Sequence, residues 1–389
     1  MILIGVYTIF LFIKKKRKLR DLNFYGYSLF LFFATLSLLW SVNLENSTPK
    51  LIGFIPFIII PIWASFLNSK INYEIIFKYI GVFFMLVSIT TILQAFFRYH
   101  STFQMSEFYY HNLSSPLSTS AIYISLLYLI VFLFNLFFLL RNKEKTQMLD
   151  YLTLTILFIY ILLLSSKLIV VLLFINTYIL LYYSLKLRLK KNTLILVTLL
   201  IFGSFTLLII LSKNNISKRF EKITNIEKIK EVYTLDEFGH NYLWNGLNLR
   251  LLQLRAFYNI EKSADFNSLL GVGLNNGQKL LNERYKYYKM YIGEKWEKNG
   301  GYLNYNFHNQ YAQTLIELGV AGFIFLILIF FRLIMNSKNN NNFLLFSIVF
   351  IFFLVMFTES ILVRQKGIML FVLFPIIAIK VKKHKTKRA

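Results

Sequence analysis

Residues that could carry out acid–base chemistry are concentrated late in the chain, in the stretch NFHNQYAQTLIELGVAGFIFLILIFF from Asn306 to Phe331. His308 lies where this stretch becomes apolar, and an imidazole can take a proton from a hydroxyl near neutral pH. If the stretch is helical throughout, spacings of four, three and four place four polar residues in one stripe: Asn306, Gln310, Gln313 and Glu317. A carboxylate facing lipid is costly, so the stripe is expected to face a cavity or a bundle interior.

The same residues also have a purely structural interpretation. Polar residues at a helix start can serve as caps, Glu317 can be paired for stability, and a lone histidine at a membrane surface is more often structural than catalytic. Gly319 and Gly322 are expected to allow close packing against a neighbouring helix. A helix N-terminus beside His308 would instead present free amide N–H groups that suit a phosphate.

Basic residues recur at other ends of the apolar segments. Lys167 follows Ser165 and Ser166 between two such segments, and Arg364 and Lys366 lie in ESILVRQKG. Arg250 and Arg255 lie in LWNGLNLRLLQLRAFYNIEK, where apolar residues at helical spacing predict a helix. Such cations can be simple interfacial anchors. If several of them converged near His308 they would form a diphosphate site, because arginine binds phosphate oxygens bidentately.

The elements that must position these residues are apolar helices. Hydrophobic residues make up 57% of the 389 residues, above the roughly 45–50% of soluble domains. The sequence predicts an all-α polytopic membrane protein with about 11 transmembrane helices. The predicted segments lie near 2–13, 24–42, 51–67, 76–97, 120–140, 149–164, 168–185, 193–211, 313–335, 343–358 and 367–380.

The distribution of charge predicts the topology. Alternate short loops hold 23 Lys and Arg in one set and 5 in the other, so the first set is expected to be cytoplasmic, with the C-terminus inside and the N-terminus outside. One segment of about a hundred residues would then be a large outer, helical loop. The predicted divisions are 1–211 (about eight helices), 212–312 (the periplasmic loop) and 313–389 (about three helices).

Several classes of function are disfavoured. The chain has no cysteine, which removes disulfide and thiolate chemistry, and no metal or cofactor is expected. The basic runs KKKRKLR and VKKHKTKRA, within a net charge of +25, are interpreted as topology signals, so no nucleic-acid partner is expected. GVGLNNG (Gly271 to Gly277) is interpreted as a tight turn, since an isolated GxG is weak evidence for phosphate binding.

The combined pattern resembles the O-antigen ligase and polymerase superfamily, especially its Bacteroidetes-like members. The resemblance rests on FHNQYAQTLIELGVAGF, on GVG after an arginine-bearing helix, on TLSLLWSVN (Thr35 to Asn43) and on FTESILVRQKG (Phe357 to Gly367). It covers nearly the whole chain and identifies the superfamily better than the member. It implies a membrane glycosyltransferase of the broad GT-C type in the bacterial inner membrane, with its active site on the periplasmic face.

The resemblance also implies partners and roles. The donor would be a glycan on undecaprenyl diphosphate, and the acceptor a lipid A–core sugar, another lipid-linked glycan or a protein hydroxyl. The family histidine maps onto His308, and the loop arginine onto Arg250, with Arg255 as the fallback. A Ser-Arg pair of the family corresponds to Ser166–Lys167, so lysine replaces arginine here and offers a point charge without the planar guanidinium fork. The family's tryptophan after the loop arginine is also absent.

The expected mechanism follows from these assignments. Arg250 and Lys167, helped by Arg364, would neutralise the diphosphate, and His308 would orient or deprotonate the acceptor. The remaining predicted site residues would shape the pocket or hold the imidazole: Asn309, Gln310, Gln313 and Glu317. Two alternatives stay open: a transporter or flippase of lipid-linked glycan, and a structural membrane scaffold. The absence of visible internal repeats disfavours the transporter.

Overall fold

The computed structural model of this chain describes residues 22–66, 71–141, 146–185, 226–294 and 301–381, and every regular element in these ranges is helical. The all-α polytopic prediction is therefore confirmed. The predicted segments near 2–13 and 193–211 lie outside the described residues. The α-helices are α1 Leu22–Leu36, α2 Leu44–Gly53, α3 Pro56–Phe66, α4 Tyr73–Thr102, α5 Tyr110–Ser114, α6 Ala121–Arg141, α7 Met148–Leu163, α8 Lys167–Leu185, α9 Ile226–Thr234, α10 Gly246–Glu261, α11 Gly277–Tyr287, α12 Gln310–Asn339, α13 Phe343–Val355 and α14 Gln365–Lys380.

Five stretches in the described residues are long and apolar enough to cross a membrane: Leu44–Phe66, Tyr73–Thr102, Ala121–Arg141, Lys167–Ser184 and Gln310–Asn339. Shorter apolar helices cover Tyr25–Trp40, Met148–Leu163 and Phe343–Val355. The predicted segments that can be compared agree with these helices to within a few residues. One predicted loop, 43–50, is wrong: it is helical from Leu44, with Asn43 capping the first turn through its side-chain oxygen.

The chain forms two compact units. In the described residues, one unit comprises 71–141, 146–185, 336–351 and 377–381. Its centre is the apolar helix α6, which packs against α4, α7 and α8. Phe77 and Phe134 stack with their ring centroids 3.8 Å apart, and the buried Tyr160 hydroxyl lies 2.9 Å from the Thr91 hydroxyl. The two hydroxyls thus satisfy each other inside this bundle, where no water is at hand to do so.

The other unit comprises 22–66, 226–294, 301–335 and 352–376, and it contains most of the predicted site. Helices α9, α10 and α11 come from the long connecting segment, which confirms that this segment is helical. α10 begins after Asn245, whose side-chain oxygen accepts from two backbone N–H groups of the first turn. The buried face of α10 carries Leu249, Leu252, Ala256 and Ile260.

The core of these helices extends into the start of α12. Ala312 and Ile316 of α12 join the same buried cluster as Leu252 of α10 and Tyr285 of α11. Burial raises the pKa of the Tyr285 hydroxyl, which therefore stays protonated and donates to the Tyr305 carbonyl at 3.0 Å. Gln253, at the place where the family tryptophan was expected, donates to the same hydroxyl. This core fixes the chain just before His308.

The prediction of one continuous helix from Asn306 to Phe331 is wrong at two points. α12 begins only at Gln310, and it breaks at Gly319, whose φ of 64° and ψ of −170° are not helical. Gly319 therefore does not serve as the predicted packing position for a neighbouring helix. An added Cβ there would lie 2.2 Å from the Leu269 carbonyl oxygen, so only glycine fits.

The segment that leads from Ser268 into the glycine-rich turn fills this helix break. The N–H groups of Val320 and Ala321 donate to the carbonyls of Ser268 and Leu269, at 2.9 and 3.2 Å, and Val272 N–H donates to the Ile316 carbonyl at 3.0 Å. These bonds replace those that a continuous helix would make within itself. The TLSLLWSVN stretch holds the other side of the turn, since Trp40 Nε1–H donates to the Leu270 carbonyl at 3.0 Å. GVGLNNG is thus a tight turn, as predicted.

Candidate functional site

Three segments of one unit meet at Glu359, a residue that sequence reasoning did not single out. Its Oε1 accepts from Arg250 Nη2 at 2.6 Å, and its Oε2 lies 3.4 Å from His308 Nδ1. The Glu359 side chain is 8% exposed, against 30% for Arg250 and 26% for His308. A buried carboxylate therefore joins the two residues that the sequence predicted to act together.

His308 is held by its own backbone as well as by Glu359. Its φ of 45° lies in the left-handed region, and its N–H donates to Asn306 Oδ1 at 2.9 Å. With Nδ1 turned toward the carboxylate, Nε2 remains for another partner. This is the arrangement in which a carboxylate orients an imidazole as a base. The 3.4 Å separation is longer than an ordinary hydrogen bond, as is common in catalytic sites without substrate.

Arg250 and Arg255 have different surroundings. Arg250 donates from Nε to the Thr358 carbonyl at 3.0 Å and from Nη1 to the Gly246 carbonyl at 2.9 Å, in addition to Glu359. Two of the five guanidinium N–H groups then remain for a ligand. Arg255 instead donates to the carbonyls of Val232 and Leu235 and pairs with Asp236 at 3.2 Å. The geometry therefore favours Arg250 over Arg255 as the partner of His308.

The segment that carries Glu359 is fixed by polar contacts at both ends. The Gln310 N–H donates to the Met356 carbonyl, and Gln310 Oε1 accepts from the Leu362 N–H, both at 2.7 Å. The Lys50 ammonium donates to the carbonyls of Leu362 and Val363. Lys50 was counted only as a topology charge in the sequence, yet it holds this segment in place. Gln310 thus positions Glu359 through the main chain.

The predicted polar stripe is formed only in part. Gln310, Gln313 and Glu317 are 4%, 3% and 5% exposed, so they face the protein interior as expected. Gln313 donates to Glu317, and Asn275 gives Glu317 a further main-chain hydrogen bond. Asn306 precedes the helix and is not part of the stripe, which corrects the prediction. These contacts make the stripe a structural element that supports the helix break.

Asn309 makes a structural contact at the start of α12. Its side-chain oxygen accepts from the Ala312 N–H at 3.0 Å, so it caps the start of α12. Arg364 and Lys366 are exposed in the same unit as His308. Lys167 begins α8 in the other unit, after a break in which Ser165 has a φ of 43°. The predicted break at this point is therefore present.

No cluster that could hold a metal is found in the part of the chain that the structure describes, if three His, Asp or Glu ligands are required. Glu359 is already shared by a guanidinium and an imidazole. What this arrangement can do is accept a proton at His308 Nε2 beside a fixed positive side chain.

Comparison with known proteins gives one match. Residues 151–327 match the family model described as O-antigen ligase, a region that includes Lys167, Arg250 and His308. Glu359 lies outside the matched residues. No curated protein matches the chain.

Proposed function

Because the match over residues 151–327 identifies this chain as a member of the O-antigen ligase and polymerase superfamily, we propose that it transfers a glycan from undecaprenyl diphosphate to an acceptor hydroxyl. The reaction takes place on the periplasmic face of the bacterial inner membrane. The superfamily and the apolar helices make the chain a multi-pass bacterial membrane protein of O-antigen ligase or polymerase type. Beyond this, we propose which donor is used, on which face of the membrane transfer takes place, and by which mechanism.

The observation that carries the proposal is the contact of one buried carboxylate with both Arg250 and His308. Glu359 keeps the imidazole turned so that Nε2 faces an incoming hydroxyl. Nε2 takes the hydroxyl proton as the oxygen attacks the anomeric carbon from the face opposite the diphosphate. The new C–O bond forms while the bond to the diphosphate breaks, and the diphosphate leaves with the electron pair. The product is inverted at the anomeric carbon.

The departing diphosphate gains negative charge, which fixed cations must stabilise. Arg250 offers the two N–H groups that no described residue accepts, and Glu359 limits its rotation. Arg364 is exposed five residues after Glu359 and adds a full positive charge from the same segment. Lys167 is proposed as a further cation, as the superfamily's Ser-Arg pair suggests. A diphosphate is a good leaving group, so positioning and one base suffice.

The proposed reaction can use one of three kinds of acceptor: a lipid A–core sugar, a second lipid-linked glycan or a protein hydroxyl. Gel analysis of surface polysaccharide in a deletion strain distinguishes them. Loss of all long chains with accumulation of lipid-linked polymer indicates a ligase. A single repeat left on the core indicates a polymerase. Loss of glycan from proteins alone indicates a protein glycosyltransferase.

The proposed base is tested with His308→Ala in the same strain. Transfer is expected to fall at least about 100-fold, the lower end of what a general base supplies, while the amount of protein in the membrane is unchanged. The matched control is His240→Ala, because His240 is an exposed histidine of the same connecting segment. Normal glycan transfer by His308→Ala would remove His308 from the reaction. Glycan flux across vesicles without any acceptor would identify a transporter instead.

A further inference from the structure

A polar cleft of about 490 Å³ opens beside the His308 centre, and its lining is dominated by side-chain amides. The volume falls within the roughly 300–1,000 Å³ typical of small-ligand sites. Six of the amides come from three separate parts of the chain: Asn46, Asn275, Gln278, Asn282, Asn304 and Asn306. The cleft therefore depends on the folded unit and is not the surface of one helix.

Part of this amide set is already organised by hydrogen bonds. Asn282 Oδ1 accepts from Gln278 Nε2 at 2.9 Å and from the Asn304 N–H at 3.1 Å. Asn275 Nδ2 donates to the Asn46 carbonyl at 3.0 Å. These contacts set the direction of each amide in advance, so little side-chain entropy is lost when a ligand binds.

Other amide atoms of the lining residues have no protein partner among the described residues. They comprise two acceptors, two donors and one complete amide: Asn275 Oδ1, Gln278 Oε1, Asn304 Nδ2, Asn306 Nδ2 and both polar atoms of Asn46. At the floor, Gln313 is 3% exposed, and its Oε1 also accepts no hydrogen bond in the described part of the chain. A buried acceptor of this kind costs free energy unless a ligand satisfies it.

The chemistry of the lining selects the ligand. Sugar hydroxyls both donate and accept, as amides do. Among the described residues of the lining, only Val363 is apolar, which disfavours a lipid chain or an apolar peptide. Lys279, Lys286 and Glu283 leave one net positive charge, too little to hold a polyphosphate well. From this pattern we infer that the cleft binds the saccharide portion of a substrate through its hydroxyl and amide groups.

The position of the cleft links it to the transfer centre. Asn306 lines the cleft and accepts the His308 N–H at 2.9 Å. Val363 lines it as well, four residues after Glu359. A saccharide in the cleft thus lies against the two segments that carry His308 and Glu359. This assignment rests on the proposed glycan transfer and adds to it the side chains that recognise the sugar.

The test measures saccharide binding separately from transfer. The probe is the oligosaccharide released by mild acid from the host's own lipid-linked glycan, titrated by saturation-transfer NMR into the full chain in lipid nanodiscs. Gln278→Ala combined with Asn304→Ala removes two ligand contacts and is expected to weaken binding at least tenfold. Asn46→Ala is expected to give a smaller loss, and the Asn46 side chain makes no hydrogen bond to the other described residues. Asn241→Ala, an exposed asparagine outside the cleft, is the matched control.

His308→Ala separates the two proposals, because it should bind the oligosaccharide within about threefold of the wild type without transferring it. If the cleft variants bind the oligosaccharide as tightly as the wild type, the cleft assignment is wrong. It is also wrong if inorganic diphosphate alone displaces the sugar in a manner that depends on Lys279. Binding that is lost in the cleft variants, with no transfer by any form of the protein, would refute the proposed function and leave the cleft assignment intact.

Discussion

Replacement of Glu359 by glutamine keeps the side chain's shape and removes its charge. The Arg250 Nη2–Glu359 Oε1 distance is 2.6 Å, and the carboxylate is 8% exposed. Hydrogen bonds to charged groups contribute about 1.5–3 kcal/mol. Arg250 is 30% exposed and keeps its contacts with two carbonyls, so we expect a loss of only about 1–2 kcal/mol in stability.

Glycan transfer should fall more than stability does. Without the carboxylate, the His308 ring is no longer oriented through Nδ1, and part of the roughly 10²–10⁴-fold contribution of a general base is lost. We expect a decrease of about 10–100-fold in transfer, or about 1.4–2.8 kcal/mol in the barrier. The assay measures the initial rate of transfer from purified lipid-linked donor to acceptor, normalised to folded protein. Glu359→Asp should recover part of the rate, since it restores the charge.

A second ion pair in the chain provides a matched control. Arg98 Nε lies 2.8 Å from Glu107 Oε2, with side-chain exposures of 31% and 13% that resemble those of the Arg250–Glu359 pair. Glu107→Gln should therefore cost similar stability and leave the transfer rate unchanged. An equal loss of transfer in both variants would show that stability alone explains the effect. An unchanged rate in Glu359→Gln would refute the role given to the carboxylate.

Gly319→Ala should prevent accumulation of folded protein, because the new Cβ would lie 2.2 Å from the Leu269 carbonyl oxygen and the backbone conformation alone costs about 1–3 kcal/mol. Gly53→Ala, which meets nothing within 4 Å, is the control, and equal membrane levels of the two variants would contradict the reasoning. Arg250→Lys should reduce transfer about tenfold, since lysine cannot reproduce the guanidinium fork. Arg255→Ala should lower thermal stability and retain transfer; if it alone is inactive, the two arginines have been assigned in the wrong order.

The sequence predicted the helices well because their apolar runs are long and a membrane helix leaves little freedom of assignment. The resemblance to the superfamily also predicted that His308 and Arg250 lie at the same site. It could not predict the start of α12 at Gln310, because polar residues can cap a helix or continue it. The break at Gly319 was hidden for a related reason: ELGVAGF keeps an apolar helical pattern across a change of backbone direction.

Glu359 and Lys50 were missed because their partners are distant in the chain. Glu359 is separated from Arg250 by 109 positions, and Lys50 from Leu362 by 312. Periodicity and motif spacing report only on neighbours along one element. A single carboxylate between the last two apolar segments was nonetheless a usable signal, since an acidic group at a membrane boundary needs a partner.

The main-chain bonds between the glycine-rich turn and the interrupted helix α12 have a consequence for how this protein can be studied. These contacts are made by carbonyl and N–H groups. Side chains of the turn and of α12 can therefore vary while the two segments keep their relative position. The helices between residues 226 and 287 are also not expected to fold on their own. Cut free as a fragment, they would lose Ala312 and Ile316 from their interior and expose the surface that those residues cover. A water-soluble version of this region would therefore require a redesigned replacement for the first turns of α12.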